Sequence, residues 1–206
     1  FERTVEVFHP EGLMNLIGGG QNTQLLYAKR DGSLPSDSGV EYVSQPMTLD
    51  AWHAVPTKFW NFVEANYKAF NQSDVGIHIH FPWASMEVGH AYTMLSALNS
   101  LQINQHGILF NVAQRGDVSY ARWDLLTMRD AYNVVAEVAK QRTRTDNDKY
   151  KAINLQHTDT IELRYFQSNA KGSRVLKNLE FVDALYELTK RDYQMTQGWN
   201  HEDDIP

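Results

Sequence analysis

Two short stretches of the chain place ionisable side chains two residues apart. In Gly76-Ile77-His78-Ile79-His80, one apolar residue separates two imidazoles. In Thr160-Ile161-Glu162-Leu163-Arg164, one apolar residue separates a carboxylate from a guanidinium. On a β-strand, residues two apart point to the same side, so each pair would share one face. Paired imidazoles can bind a metal or a polyanion. A carboxylate can hold a divalent cation through oxygen, and a guanidinium beside it can grip a phosphate with two parallel hydrogen bonds. Each stretch also fits a plainer role. The histidines fit an exposed strand face, and Glu162 with Arg164 fits a solvated ion pair contributing about 0–1 kcal/mol. Glu41, in Gly39-Val40-Glu41-Tyr42-Val43-Ser44, and Glu6, in Thr4-Val5-Glu6-Val7-Phe8, are further acids on strand-like segments. Neither says much alone.

The elements that must position these groups read as a mixture. Period-two alternation predicts strands over Thr4 to Phe8, Val40 to Gln45, Val75 to Phe81 and Thr160 to Phe166. In the third, Ile77, Ile79 and Phe81 share the face opposite the histidines; in the fourth, Ile161, Leu163 and Tyr165 lie opposite Glu162 and Arg164. Helical spacing predicts helices over Thr57 to Phe70, with Pro56 just before it, over Ser85 to Leu98, and from about Leu125 to Lys140. A last helix carries Leu176, Leu179, Val182, Asp183 and Tyr186 on one stripe, with Ser173 as its N-cap. Asp31-Gly32-Ser33-Leu34 is a turn signal, and Gln141 to Asp148 is a polar loop. The helices are too unevenly placed for regular βαβ winding. The expected fold is therefore α+β: a mainly antiparallel sheet with one polar active-site face and helices packed on the other.

The chain has 206 residues and 42% hydrophobic residues, with Trp 5, Tyr 10 and Phe 9, enough for one sizeable core. A formal net charge of -6, with no basic run longer than two residues, disfavours nucleic-acid binding. The absence of cysteine excludes disulfides, zinc–thiolate sites and thiol catalysis. Apolar runs such as Ile108-Leu109-Phe110 are too short to span a bilayer, and no secretory signal is visible. The expectation is a cytoplasmic protein with no membrane partner. The length points to a single domain over 1–206, and because the chain starts at Phe1 that domain is expected to be shortened at its N-terminus.

The motifs resemble a known family. Gly76 to His80 resembles the Gly-x-His-x-His strand of glutamine synthetases and their relatives, and Thr160 to Arg164 resembles their Glu-x-Arg strand. The order of motifs is closest to the amidoligases often encoded by phages and mobile elements. That pattern is met by Asp31-Gly32-Ser33-Leu34, Glu41 to Ser44, Gly76 to His80, Gln114-Arg115 with Tyr120 and Trp123, Ala152-Ile153-Asn154-Leu155, Thr160 to Arg164, and the helix around Leu179 to Leu185. The resemblance covers nearly the whole chain. In one place the chain departs from it: the first strand should carry two acids, but Thr4 stands where the first is expected and Glu6 at the second.

The resemblance implies a glutamine synthetase-like catalytic domain that joins a carboxylate to an amine using ATP, through an acyl phosphate. It implies Glu6, Glu41, His78 and Glu162 as ligands of Mg2+ or Mn2+, and His80 on the nucleotide phosphates. Arg164 would stabilise the transferring phosphoryl group, with Arg115 as a second candidate, and Lys149 and Asn154 would line the nucleotide pocket. Three converging carboxylates would repel one another, and a bound dication would remove that conflict. The Thr4 departure leaves open a non-catalytic descendant that binds or inhibits. A metal-dependent hydrolase using the same histidines and carboxylates is a third possibility.

Overall fold

A computed structural model describes residues 26–30, 40–66, 75–103, 107–124, 150–157, 159–169 and 171–198. The chain divides into two compact units, Phe1–Val75 with Ser168–Lys177, and Gly76–Gln167 with Asn178–Pro206.

In the first unit, β1 (Leu26–Arg30) pairs antiparallel with β2 (Val40–Ser44), and Lys29 stands opposite Glu41. β2 falls where alternation predicts a strand; β1, Leu-Tyr-Ala-Lys-Arg, alternates too weakly to have been expected. Two helices follow, α1 (Leu49–His53) and α2 (Thr57–Asn66). The Thr48 side chain caps α1 by accepting from the Ala51 N–H at 3.2 Å, satisfying one of the amides that a helix start leaves without an intrahelical partner. Val55 and Phe59 are buried here, with Trp52, Trp60 and Val63 packed against them.

The second unit holds a three-stranded antiparallel sheet in the order β3 (Gly76–Pro82), β5 (Thr160–Gln167), β4 (Ile153–Asn154). β3 and β5 match the expected strands. β4 is two residues long, too short to show alternation in a sequence. Helix α3 (Val88–Ile103) follows a 3-10 turn over Trp83–Ser85, so it starts later than Ser85: Met86 is extended and breaks the continuation. Helix α4 (Ile108–Ala113) ends at Gln114, whose left-handed φ of 56° stops the helix and turns the chain toward Arg115.

The long helix α5 (Gly172–Gly198) falls where a C-terminal helix is expected; Val182, Leu179 and Tyr186 of the predicted stripe face the core together with Leu185, while Asp183 is exposed, and the cap is different from the one expected. Ser173 lies inside the first turn. The Lys171 carbonyl accepts the first helical bonds, from Arg174 and Val175, and the Asn169 side chain accepts from the Lys171 N–H at 2.9 Å. Gly172, the first residue of the helix, lies against the Trp60 indole, where any side chain would collide.

The core of the second unit joins α3 (Ala91, Met94, Leu95, Leu98), α5 (Val182, Leu185) and the apolar sheet face (Ile79, Ile153, Ile161, Leu163, Tyr165). Alternation puts the polar residues of β3 and β5 on the reverse face. The register shifts between Ile77↔Phe166 and Ile79↔Leu163, so Arg164 and Tyr165 together stand opposite His78. This bulge lets two successive residues, Tyr165 and Phe166, both point into the core, where strict alternation would have turned one outward.

The mixed α+β composition is as expected, and every named strand pair is antiparallel. The strand expected over Thr4 to Phe8 and the helix expected from Leu125 to Lys140 lie outside the described residues. Among the described residues, no helix is long and apolar enough to cross a membrane.

Candidate functional site

Glu162 lies on the central strand of the three, so its neighbours are set by register on both sides. His80 is its partner across β3 and Asn154 its partner across β4. The side chains meet accordingly. The Glu162 Oε1 lies 3.0 Å from His78 Nδ1 and 3.7 Å from His80 Nε2. Arg164 Nη1 donates to the same oxygen at 3.0 Å. Asn154 Nδ2 donates to Oε2 at 2.5 Å, and His157 Nε2 lies 3.2 Å from Oε2. The carboxylate is thus held at both ends. It is also buried, with 5% of its side chain exposed, while His80 and His157 are roughly half exposed.

Burial by itself would raise the Glu162 carboxyl. It is overruled by the hydrogen bond and charge of His78, the charge of Arg164 and the bond from Asn154, which together hold the group well below the usual carboxylate range. Glu162 is therefore ionised at neutral pH, as a cation ligand must be.

Arg164 is fixed by two bonds, since its Nε also donates to the Tyr120 carbonyl at 3.2 Å. Its backbone N–H is bonded to the Ala152 carbonyl at 2.8 Å, which ties it to the chain leading into β4. Arg115 lies against Gly76, which alternation puts on the same face of β3 as His78 and His80. It is 4% exposed, and its Nη1 donates to the Arg164 carbonyl at 3.0 Å. Its guanidinium passes over Gly76, which explains why the Gly-x-His-x-His stretch begins with a residue that has no side chain. Trp123 packs edge-on against Tyr165, with ring centroids 5.7 Å apart.

Of the residues singled out from the sequence, His78, His80, Asn154, Glu162 and Arg164 meet at one place. Arg115 is tied to the Arg164 backbone through the bond from its Nη1 to the carbonyl. Glu41 lies on β2 in the other unit of the chain. Glu6 and Lys149 lie outside the described residues. Sequence reasoning missed His157. Its only signal was position: a histidine in the short connection between Asn154 and Glu162, two residues already suspected of facing the site.

Among the described residues, His80, His157 and Glu162 each offer one ligand atom, and these atoms lie within 4.8 Å of one another. No family model, curated protein or solved structure matches the chain. The amidoligase resemblance therefore stands on the motifs and their order.

Proposed function

We propose that this protein is an ATP- and metal-dependent carboxylate–amine ligase with a glutamine synthetase-like catalytic fold. The observation that carries the reading is the meeting of His78, His80 and Arg164 around the Glu162 carboxylate on one sheet face. An ionised carboxylate flanked by imidazoles suits a divalent cation. A guanidinium held beside it suits a phosphate.

In the reaction, an oxygen of the acid substrate attacks the γ-phosphorus of ATP and ADP leaves, giving an acyl phosphate. The amine nitrogen then attacks the acyl carbon, inorganic phosphate leaves, and the nitrogen loses a proton to give the amide. Phosphoryl transfer of this kind depends mainly on positioning and charge neutralisation. A divalent ion, when bound, supplies charge neutralisation on the phosphates. The ionised Glu162 carboxylate would hold that ion. Arg164, with Nε on Tyr120 and Nη1 on Glu162, keeps its charge in a fixed direction and needs little reorganisation as charge moves. The half-exposed histidines keep the site open to a ligand.

The test is release of ADP and phosphate from ATP, with Mg2+ or Mn2+, across a panel of acids and amines. A ligase releases both products only when acid and amine are present together, and Glu162→Ala abolishes the release. Nucleotide binding without turnover would point to the non-catalytic descendant. No nucleotide binding with either metal would sink the reading. The hydrolase alternative uses the same carboxylate and imidazoles but leaves Arg164 and ATP without a role; bond cleavage that needs metal but no ATP would favour it.

A further inference from the structure

We infer that His80, His157 and Glu162 form a site for a divalent first-row transition ion, such as Zn2+, Co2+ or Mn2+, in preference to Mg2+. The inference rests on the metal half of the reading above, and it names a ligand set and an ion class for it.

Three observations support it. The first is geometric. His157 Nε2 lies 3.2 Å from Glu162 Oε2 and His80 Nε2 lies 3.7 Å from Oε1. Donors bound at about 2.1 Å in a tetrahedral or octahedral array lie about 3.0–3.4 Å apart. The three donors lie within 4.8 Å of one another, and because both rings are about half exposed, ring rotation can close that spacing around an ion. The rings already face each other edge-on, with centroids 5.2 Å apart.

The second is the support behind each ligand. His80 Nδ1 lies 3.2 Å from Thr160 Oγ1. When Nδ1–H donates to that hydroxyl, the lone pair of Nε2 is left facing the carboxylate, the arrangement metal-binding histidines use. Glu162 is aimed by Asn154. The orientation of that amide is itself set, because its Oδ1 accepts from the Gln156 N–H at 3.0 Å, and this turns Nδ2 toward Glu162.

The third is donor chemistry. Two imidazoles and one carboxylate suit zinc, cobalt or manganese, whereas Mg2+ demands a near-ideal octahedron of oxygens and keeps its water. Within this cluster the described residues offer a single carboxylate.

The whole chain is titrated separately with Co2+, Zn2+, Mn2+ and Mg2+, without nucleotide. Binding is followed by cobalt absorption in the visible and by the shift in Tm. The expected result is one equivalent of Co2+ or Zn2+ bound at least about tenfold more tightly than Mg2+. His157→Ala, a change at an exposed side chain, should abolish the cobalt spectrum at that occupancy. Thr160→Val should weaken binding about 10–100-fold by releasing His80. Equal affinity for Mg2+ and Co2+, or a cobalt spectrum unchanged in His157→Ala, would overturn the assignment. ATP turnover is measured independently. Turnover with Mg2+ and no cobalt spectrum would remove this inference and keep the ligase. A cobalt spectrum that His157→Ala abolishes, with no nucleotide binding, would do the reverse.

Discussion

The Arg115 guanidinium occupies the space where a side chain at Gly76 would begin, with its Cζ 2.9 Å from the ideal Cβ position. Arg115 cannot swing away freely, because it is buried and bonded to the Arg164 carbonyl. Gly76→Ala should therefore destabilise the fold by about 1–3 kcal/mol, as overpacking of a filled interior does. Denaturant unfolding checks this. A Gly76→Ala/Arg115→Ala double variant should lose much less than the sum of the two single changes, since the clash has already gone.

Arg164→Lys should remove most of the ligase activity with a loss of stability of only about 0.5–1.5 kcal/mol, the usual contribution of one hydrogen bond. One ammonium cannot serve the Tyr120 carbonyl and Glu162 together in a fixed plane, as the guanidinium does. Steady-state kinetics beside a thermal melt separates the two effects. Full activity in Arg164→Lys would contradict the phosphate role.

Acid should destabilise the protein in two stages. Burial holds the His90 imidazole below its ordinary 6.5, with Lys190 adding to the effect, and the bond to the Tyr186 carbonyl, Glu187 and Glu87 opposing it. The unfolded chain takes up that proton near 6.5 and the folded chain resists, so the His90 contribution is complete above about pH 6.5 and falls as pH drops through the lowered value. Glu162 acts at lower pH. Its contribution is complete above its ordinary 4.5 and is lost as pH falls from there toward its depressed value. Unfolding midpoints measured from pH 8 to pH 3 should show both onsets. His90→Gln should remove the upper onset and leave the lower one.

Gly172→Ala offers a test in which two effects oppose each other. Replacing a helical glycine by alanine ordinarily stabilises by up to about 1 kcal/mol. Here the added methyl would meet the Trp60 ring, so the net effect should be destabilising. In a Trp60→Ala background the same change should become neutral or stabilising. Chemical denaturation of the four variants decides it.

The faces of the site strands were legible in the sequence because alternation is a local property of extended backbone. His78 and His80 separate from Ile77 and Ile79, and Glu162 from Leu163, with no knowledge of what the strands pair with. The helical stripe from Leu179 to Tyr186 was legible for the same reason. Register was not. Nothing local places His80 opposite Glu162 some eighty residues away, or Asn154 on its other side, because register follows from which apolar residues fill one core. The bulge that turns both Tyr165 and Phe166 inward, the demand for glycine beneath Arg115, and the approach of His157 to Glu162 are likewise results of packing between distant segments. The sequence by itself determined which side chains could act and which way each strand turned them. Only the tertiary structure decided which of them meet, because that depends on how the distant strands pair.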